Sequence, residues 1–231
     1  MTEPLILSWS GGKDSSLALQ RLRAAGERDV VLLTSVTAGY DRVAIHGVRR
    51  ELLRAQAAAL GLPLHEFELQ PASTNEAYEA AFASALAGLR ERYGARRIAF
   101  GDLFLEDVRR YREERVRPLG FAPVFPLWGE DTAALARSFV ADGFEARLVC
   151  VDTTQLDASF AGRAFDARLL ADLPSSVDPC GERGEFHTFV TAGPIFSRPI
   201  GVEVGEVVLR DGRFAYCDLL PVPAPEPVGS T

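Results

Sequence analysis

Leu5-Ile6-Leu7-Ser8-Trp9-Ser10-Gly11-Gly12-Lys13-Asp14-Ser15-Ser16 runs from an apolar stretch into two adjacent glycines and a polar cluster. A helical pattern, Leu17-Ala18-Leu19 to Leu22, follows it. The order predicts strand, glycine-rich turn, helix. Paired glycines let a backbone turn tightly and bring its N–H groups against a ligand. The helix that follows offers unpaired N–H groups and the positive end of its dipole, a site suited to phosphate. Ser10, Ser15 and Ser16 add hydroxyl donors.

Lys13 adds a point charge, and it is the only lysine; the other 24 of the 25 basic residues are arginines. In such a chain a surface cation would be arginine. A compact ammonium among phosphate oxygens is the setting where the two do not interchange. The loop is not a Walker A sequence, which needs four residues between its glycines and Gly-Lys followed by Ser or Thr; here Asp14 follows Lys13.

Working outward, strand and helix patterns alternate from Pro4 to about Leu127. Val30 to Val36 is a continuous β-branched and leucine run, a buried parallel strand. Val48 to Leu60 is helical, with Leu52, Leu53, Gln56 and Leu60 near one face, and Gly61-Leu62-Pro63 stops it. Leu64 to Leu69 is a strand. Ser73 or Thr74 caps a helix from Asn75 to Tyr93. A further strand, Arg97 to Gly101, ends at Gly101-Asp102. Repeated units of this kind imply an α/β fold, a doubly wound parallel sheet with helices on both faces. Ligands of such sheets sit at the carboxyl ends of the strands, where the glycine loop and Asp102 both fall.

Glu106 to Arg117 is dense in charge, and the Glu106–Arg110 and Glu113–Arg117 spacings suit a solvated helix face. Phe125-Pro126-Leu127-Trp128-Gly129 breaks the pattern and marks a boundary. This divides the chain into 1–127, a nucleotide domain, 128–222, a smaller α/β substrate domain, and 223–231, a loose proline-rich tail. In the second part Asp131 caps a helix, Glu145 to Val151 is a strand, and Val202 to Leu220 is a hairpin around Asp211-Gly212.

Composition bounds the partners. Residues 1–127 carry a net charge of +1 and residues 128–231 a net of −8. A large RNA partner wants a basic face, and this distribution argues against nucleic acid. No run is long enough for a membrane span and no signal peptide is visible. Cys150, Cys180 and Cys217 are widely spaced without a C-x-x-C pair, which suits a reducing, cytoplasmic setting and gives no zinc framework. The oligomeric state stays open, a homo-oligomer included.

A second dense stretch is Asp178-Pro179-Cys180-Gly181-Glu182-Arg183-Gly184-Glu185-Phe186-His187-Thr188. Its glycines permit sharp turns, while Glu182, Glu185 and His187 can orient a substrate or handle a proton. Cys180 and His187 match no zinc spacing, and nothing nearby in sequence lowers the pKa of Cys180. A tight turn feeding a strand from Phe186 to Val190 is the plain alternative.

The loop Ser10 to Ser15 resembles the SGG-x-DS signature of the PP-loop ATP pyrophosphatases, which cleave ATP between its α- and β-phosphates. Together with Gly101-Asp102, Pro126-Leu127-Trp128 and the D-x-CGE-x-GEFHT segment, the chain from 4 to 220 resembles the diphthine–ammonia ligase family. The resemblance implies ATP and Mg²⁺ as cofactors, a carboxylate acceptor, and ammonia or an amine as second substrate. It implies that Ser8, Ser10, Gly11, Gly12, Lys13, Asp14, Ser15, Ser16, His46 and Gly101 surround the nucleotide. Asp14 and Asp102 would serve the metal, and Lys13, Asp102, Glu182, Glu185 and His187 the chemistry. The arginine- and alanine-rich composition suggests a bacterial-type member, whose acceptor would not be diphthine. Two rival readings remain. A PP-loop tRNA-modifying enzyme would want a basic RNA face, and a non-catalytic nucleotide sensor would not need the second dense stretch.

Overall fold

The computed structural model describes residues 3–39, 42–43 and 47–223. The first part holds β1 (Leu5–Ser8), α1 (Lys13–Ala24), β2 (Val30–Thr37), β3 (Arg42–Val43), α2 (Arg50–Leu60), β4 (Leu64–Leu69), α3 (Asn75–Tyr93), β5 (Arg97–Ala99), α4 (Glu106–Val116) and β6 (Ala122–Val124). The second holds α5 (Thr132–Ala141), β7 (Glu145–Asp152), α6 (Ala167–Asp172), β8 (Phe186–Ala192), β9 (Val202–Arg210) and β10 (Phe214–Pro221).

Five parallel strands take the order β4-β2-β1-β5-β6, and β3 adds an antiparallel scrap on β2. Strand order therefore reverses between β1 and β5. At such a point the two following connections leave toward opposite faces, and a crevice opens at the carboxyl ends. Alternation in the first strand explains how the faces fill. Leu5 and Leu7 join the core built with α1 and α2, while Ile6 joins the core built with α3 and α4. Thr74 caps α3 through the Ala77 N–H at 3.2 Å, and Gly61 ends α2 in the left-handed conformation. The sixth strand was not expected, because Pro123 sits in its middle; as an edge strand it can tolerate proline.

The smaller sheet is antiparallel, in the order β8-β7-β10-β9, with α5 and α6 beside it. Asp211 and Gly212 both take positive φ, 53° and 63°, as a two-residue hairpin turn requires. The two sheets share one apolar core, from Leu5, Leu17 and Leu53 through Phe139 to Phe186, Phe189 and Leu219. The second sheet thus lies on the α1–α2 side of the first.

Candidate active site

The Ser10–Ser15 loop sits at the carboxyl end of β1, and Gly101-Asp102 at the end of the neighbouring β5. They touch: a Cβ added to Gly101 would lie 3.0–3.2 Å from atoms of Asp14. Within the loop, Ser10 Oγ accepts the Gly12 N–H at 3.2 Å, and Ser15 Oγ donates to the Gly12 carbonyl at 3.0 Å. Thr188 of β8 accepts the Lys13 N–H at 3.0 Å. Two of the four N–H groups that open α1 are thereby used, which leaves those of Asp14 and Ser15 for a ligand.

Segment 178–188 closes over this loop. Ser10, Gly12, Lys13 and Asp14 on one side, with Glu182, Gly184, Phe186, His187 and Thr188 on the other, enclose about 130 Å³. That is below the ~300 Å³ of the smallest whole-ligand pockets, so it accounts for phosphates and not for a base.

Lys13 is 2% exposed, and its ammonium donates to both oxygens of Asp14 at 2.8 Å, above the Phe186 ring. Burial pulls its pKa down, but Asp14 and the acidic groups around it outweigh burial and hold the ammonium charged. Glu182 accepts the Leu103 N–H at 2.8 Å. Burial, reinforced by Asp14 and Asp102, pushes its carboxyl up to about 7. Asp102 is raised by burial as well, against the opposing pull of Arg112, whose Nε lies 3.5 Å from Oδ2. That Oδ2 is buried and makes no hydrogen bond among the described residues.

Asp102 lies near enough to Asp14 for the Asp14 charge to raise its carboxyl, and two neighbouring carboxylates of this kind fit a divalent cation. Mg²⁺ is held by one or two carboxylates with the remainder from phosphate and water. Among the described residues there is no group of three or more His, Cys, Asp or Glu side chains that could hold a metal ion.

Several residues named from the sequence lie away from this cavity, and others line it. Glu185 does not face the cleft. It is 1% exposed, and its oxygens accept the Asp178 and Arg183 N–H groups at 2.8 and 3.0 Å. The physical reason is the two glycine turns, which fold 178–185 back around a carboxylate at its centre. Ser16 is fully buried, its hydroxyl without a partner among the described residues, because one further helical residue turns it from the cleft. Gly11 turns toward the second sheet: its carbonyl accepts Val190 N–H at 2.9 Å and Gln56 Nε2 at 3.0 Å. Ser8 lies at the end of β1 without lining the cavity. His46 lies outside the described residues. His187 does line the cavity. Cys180 is buried and its thiol is pushed up to about 12, chiefly by burial, so it stays protonated.

Sequence reasoning passed over the residues that hold the site together. Gln56 is fully buried; it accepts Trp9 Nε1–H at 3.0 Å and donates to Gly11 O and to Val190 O at 2.6 Å. A polar residue on the apolar face of a predicted helix was the available signal. Asp178 accepts the Cys180 N–H at 2.8 Å and the Thr132 hydroxyl at 2.7 Å, which ties the dense segment to α5.

Gly11 supplies a direct test of this joint. Its φ is +77°, and an added Cβ would lie 2.6 Å from Leu53 Cδ2 and 2.7 Å from Gln56 Oε1. Left-handed strain of ~1–2 kcal/mol and overpacking of ~1–3 kcal/mol both apply. Gly11→Ala is expected to lower the melting temperature by about 4 °C or more, read by circular dichroism.

A glycine loop feeding a helix at the switch point of a parallel sheet is common to doubly wound nucleotide-binding folds, and the order Ser10-Gly11-Gly12-Lys13-Asp14-Ser15 places this one in the PP-loop class of adenine nucleotide α-hydrolase-like proteins. Residues 4–123 match the family described as the diphthamide synthase N-terminal domain, and 131–218 that described as the diphthamide synthase C-terminal domain. The chain belongs to that family. It is 28% identical over 223 residues to diphthine–ammonia ligase of Homo sapiens, covering 87% of this chain and 83% of that one. To the protein of the same name from Danio rerio it is 27% identical over 230 residues, 89% of each chain. These vertebrate relatives lend no support to the bacterial-type member that composition suggests. Membership supports an enzymatic PP-loop ligase activity. Among the described residues no helix is long and apolar enough to cross a membrane.

Proposed function

We propose that the protein adenylates an acceptor carboxylate with ATP, releasing pyrophosphate, and transfers ammonia or an amine to give an amide. The observation that carries this is the closure of Glu182, His187 and Thr188 over the Lys13 loop around one small polar cavity. A carboxylate is a poor electrophile, and an acyl-adenylate gives it AMP as a leaving group. Lys13 and the free N–H groups at the start of α1 meet the charge that builds on the departing pyrophosphate. Asp14 and Asp102 would hold Mg²⁺, which supplies further charge neutralisation on the phosphates. Measuring nucleotide products tests the reading. AMP with pyrophosphate is expected; ADP with phosphate would exclude it.

Glu182 would take the proton that the attacking nitrogen loses. A carboxyl near 7 is half ionised at neutral pH, the condition in which a general base works well. Amide formation should therefore rise with pH through about 7, and Glu182→Gln should lose that rise while keeping nucleotide binding. Stability moves the other way. The folded pKa lies above the ordinary value of 4.5, so ionisation disfavours the fold and stability falls as pH rises between about 4.5 and 7. Melting curves of Glu182→Gln should lack that decline.

A further inference from the structure

β9 is the outer strand of the smaller sheet, and among the described residues only β10 pairs with it. Its second edge presents backbone N–H and C=O groups that can template another strand. The side chains there are not those of a solvated edge. Val204, Val207 and Leu209 are 43%, 44% and 56% exposed, and they pair across the ladder with Leu219, Cys217 and Ala215, which are buried. Directly opposed residues share a face. The three exposed residues therefore continue the core side of the sheet past the part that the core covers.

Edge strands are commonly kept from pairing by lysine, proline, inward charge or a bulge. β9 carries a bulge: from Val204 to Val207 it advances three residues while β10 runs two, between Leu219 and Cys217. That device ends where the stretch Glu206-Val207-Val208-Leu209-Arg210 begins, and this stretch holds neither proline nor glycine. Its two charges are opposite in sign and stand two residues either side of Val208. A copy of the strand laid antiparallel about Val208 puts each Glu206 against the other Arg210, and each Val207 against the other Leu209. A parallel copy in register would oppose like charges, which destabilises a strand pair. With no net charge, the stretch also gives an acidic or a basic foreign strand no advantage over a second copy.

We infer that the β9 edge docks a second copy of this chain, antiparallel and centred on Val208. The two four-stranded sheets then join into one across a two-fold axis. Backbone hydrogen bonds make the contact, the Val207–Leu209 pairs give it apolar cover, and the Glu206–Arg210 pairs fix its register. Five residues of edge fall short of the ~1,200 Å² buried by a standard interface, so the dimer is weak and reversible. This inference stands apart from the ligase reading and does not depend on it.

Sedimentation equilibrium of the full chain from about 5 to 500 µM tests this, with a monomer–dimer Kd of about 100 µM or tighter expected. Leu209→Lys should weaken the dimer about tenfold or more, because it sets a cation in both apolar pairs. Glu206→Arg alone and Arg210→Glu alone each oppose like charges and should also weaken it about tenfold. Mixed in equal amounts, these two single variants should associate with each other about as tightly as the unaltered chain does with itself, since every opposed pair is then of opposite sign. The double variant Glu206→Arg with Arg210→Glu should recover the dimer for the same reason. All three positions are exposed, and melting curves establish that each variant is folded. Should Leu209→Lys not fold, the mixture and the double variant decide the matter. A dimer unmoved by the folded variants, or single variants that stay weak when mixed, overturns the proposal. So does a chain monomeric throughout the range, which would leave the edge to a foreign strand.

Discussion

Replacing Lys13 by arginine is expected to lower kcat/KM for AMP formation by about 100-fold or more, although the charge is kept. The ammonium sits in a closed position, with both Asp14 oxygens at 2.8 Å and the Phe186 ring on another side. Its side chain is 3% exposed, so nothing lets a longer planar group swing outward. A guanidinium would displace either the Asp14 carboxylate or the wall formed by Phe186. The phosphates would then meet a fork where the site offers a point charge. Lys13→Ala should lose a similar amount for a different reason, because the charge itself is gone. Product assays with both variants, beside melting curves, check this; an active arginine variant would show that the sole lysine is incidental.

The Lys13 loop was legible because its chemistry is local. Paired glycines, a strand before and a helix after fix both its shape and its place at a sheet edge. The switch point between β1 and β5 was legible for a related reason: repeated strand–helix units leave few topologies, and each puts strand ends together. What was not legible is long range. Thr188 caps a helix that begins 175 residues earlier, and Gln56 joins the loop to β8 across 134. No local period encodes such partners. The charged run Glu106 to Arg117 shows the limit most clearly. Its spacing predicts a solvated face, and Arg117–Glu113 agrees at 3.6 Å. Yet Arg109 lies over Trp128 at 4.6 Å and Arg112 over Phe100, because the helix turns one arginine edge onto aromatic residues in the segments after β5 and β6. Amphipathicity carried by arginine is invisible to a count of apolar residues.

The dense segment was legible as special but not in its division of labour, and Glu185 tests that division. Its carboxylate accepts two backbone N–H groups from inside a loop that the side chain itself fills. Glutamine has nearly the same shape but turns an NH₂ toward one of those donors. One buried N–H then loses its acceptor, at a cost of about 2–3 kcal/mol including the charged component of the bond. For a chain of this size that corresponds to a melting temperature lowered by about 4–12 °C. Amide exchange of residues 178–188 should speed up in the same variant, since the loop opens without global unfolding. Glu182→Gln should do neither, because Glu182 meets a single N–H at the rim and its ionisation already disfavours the fold near neutral pH. Should Glu185→Gln keep the melting temperature and lose only turnover, Glu185 would act on the substrate and the loop-holding assignment would be wrong.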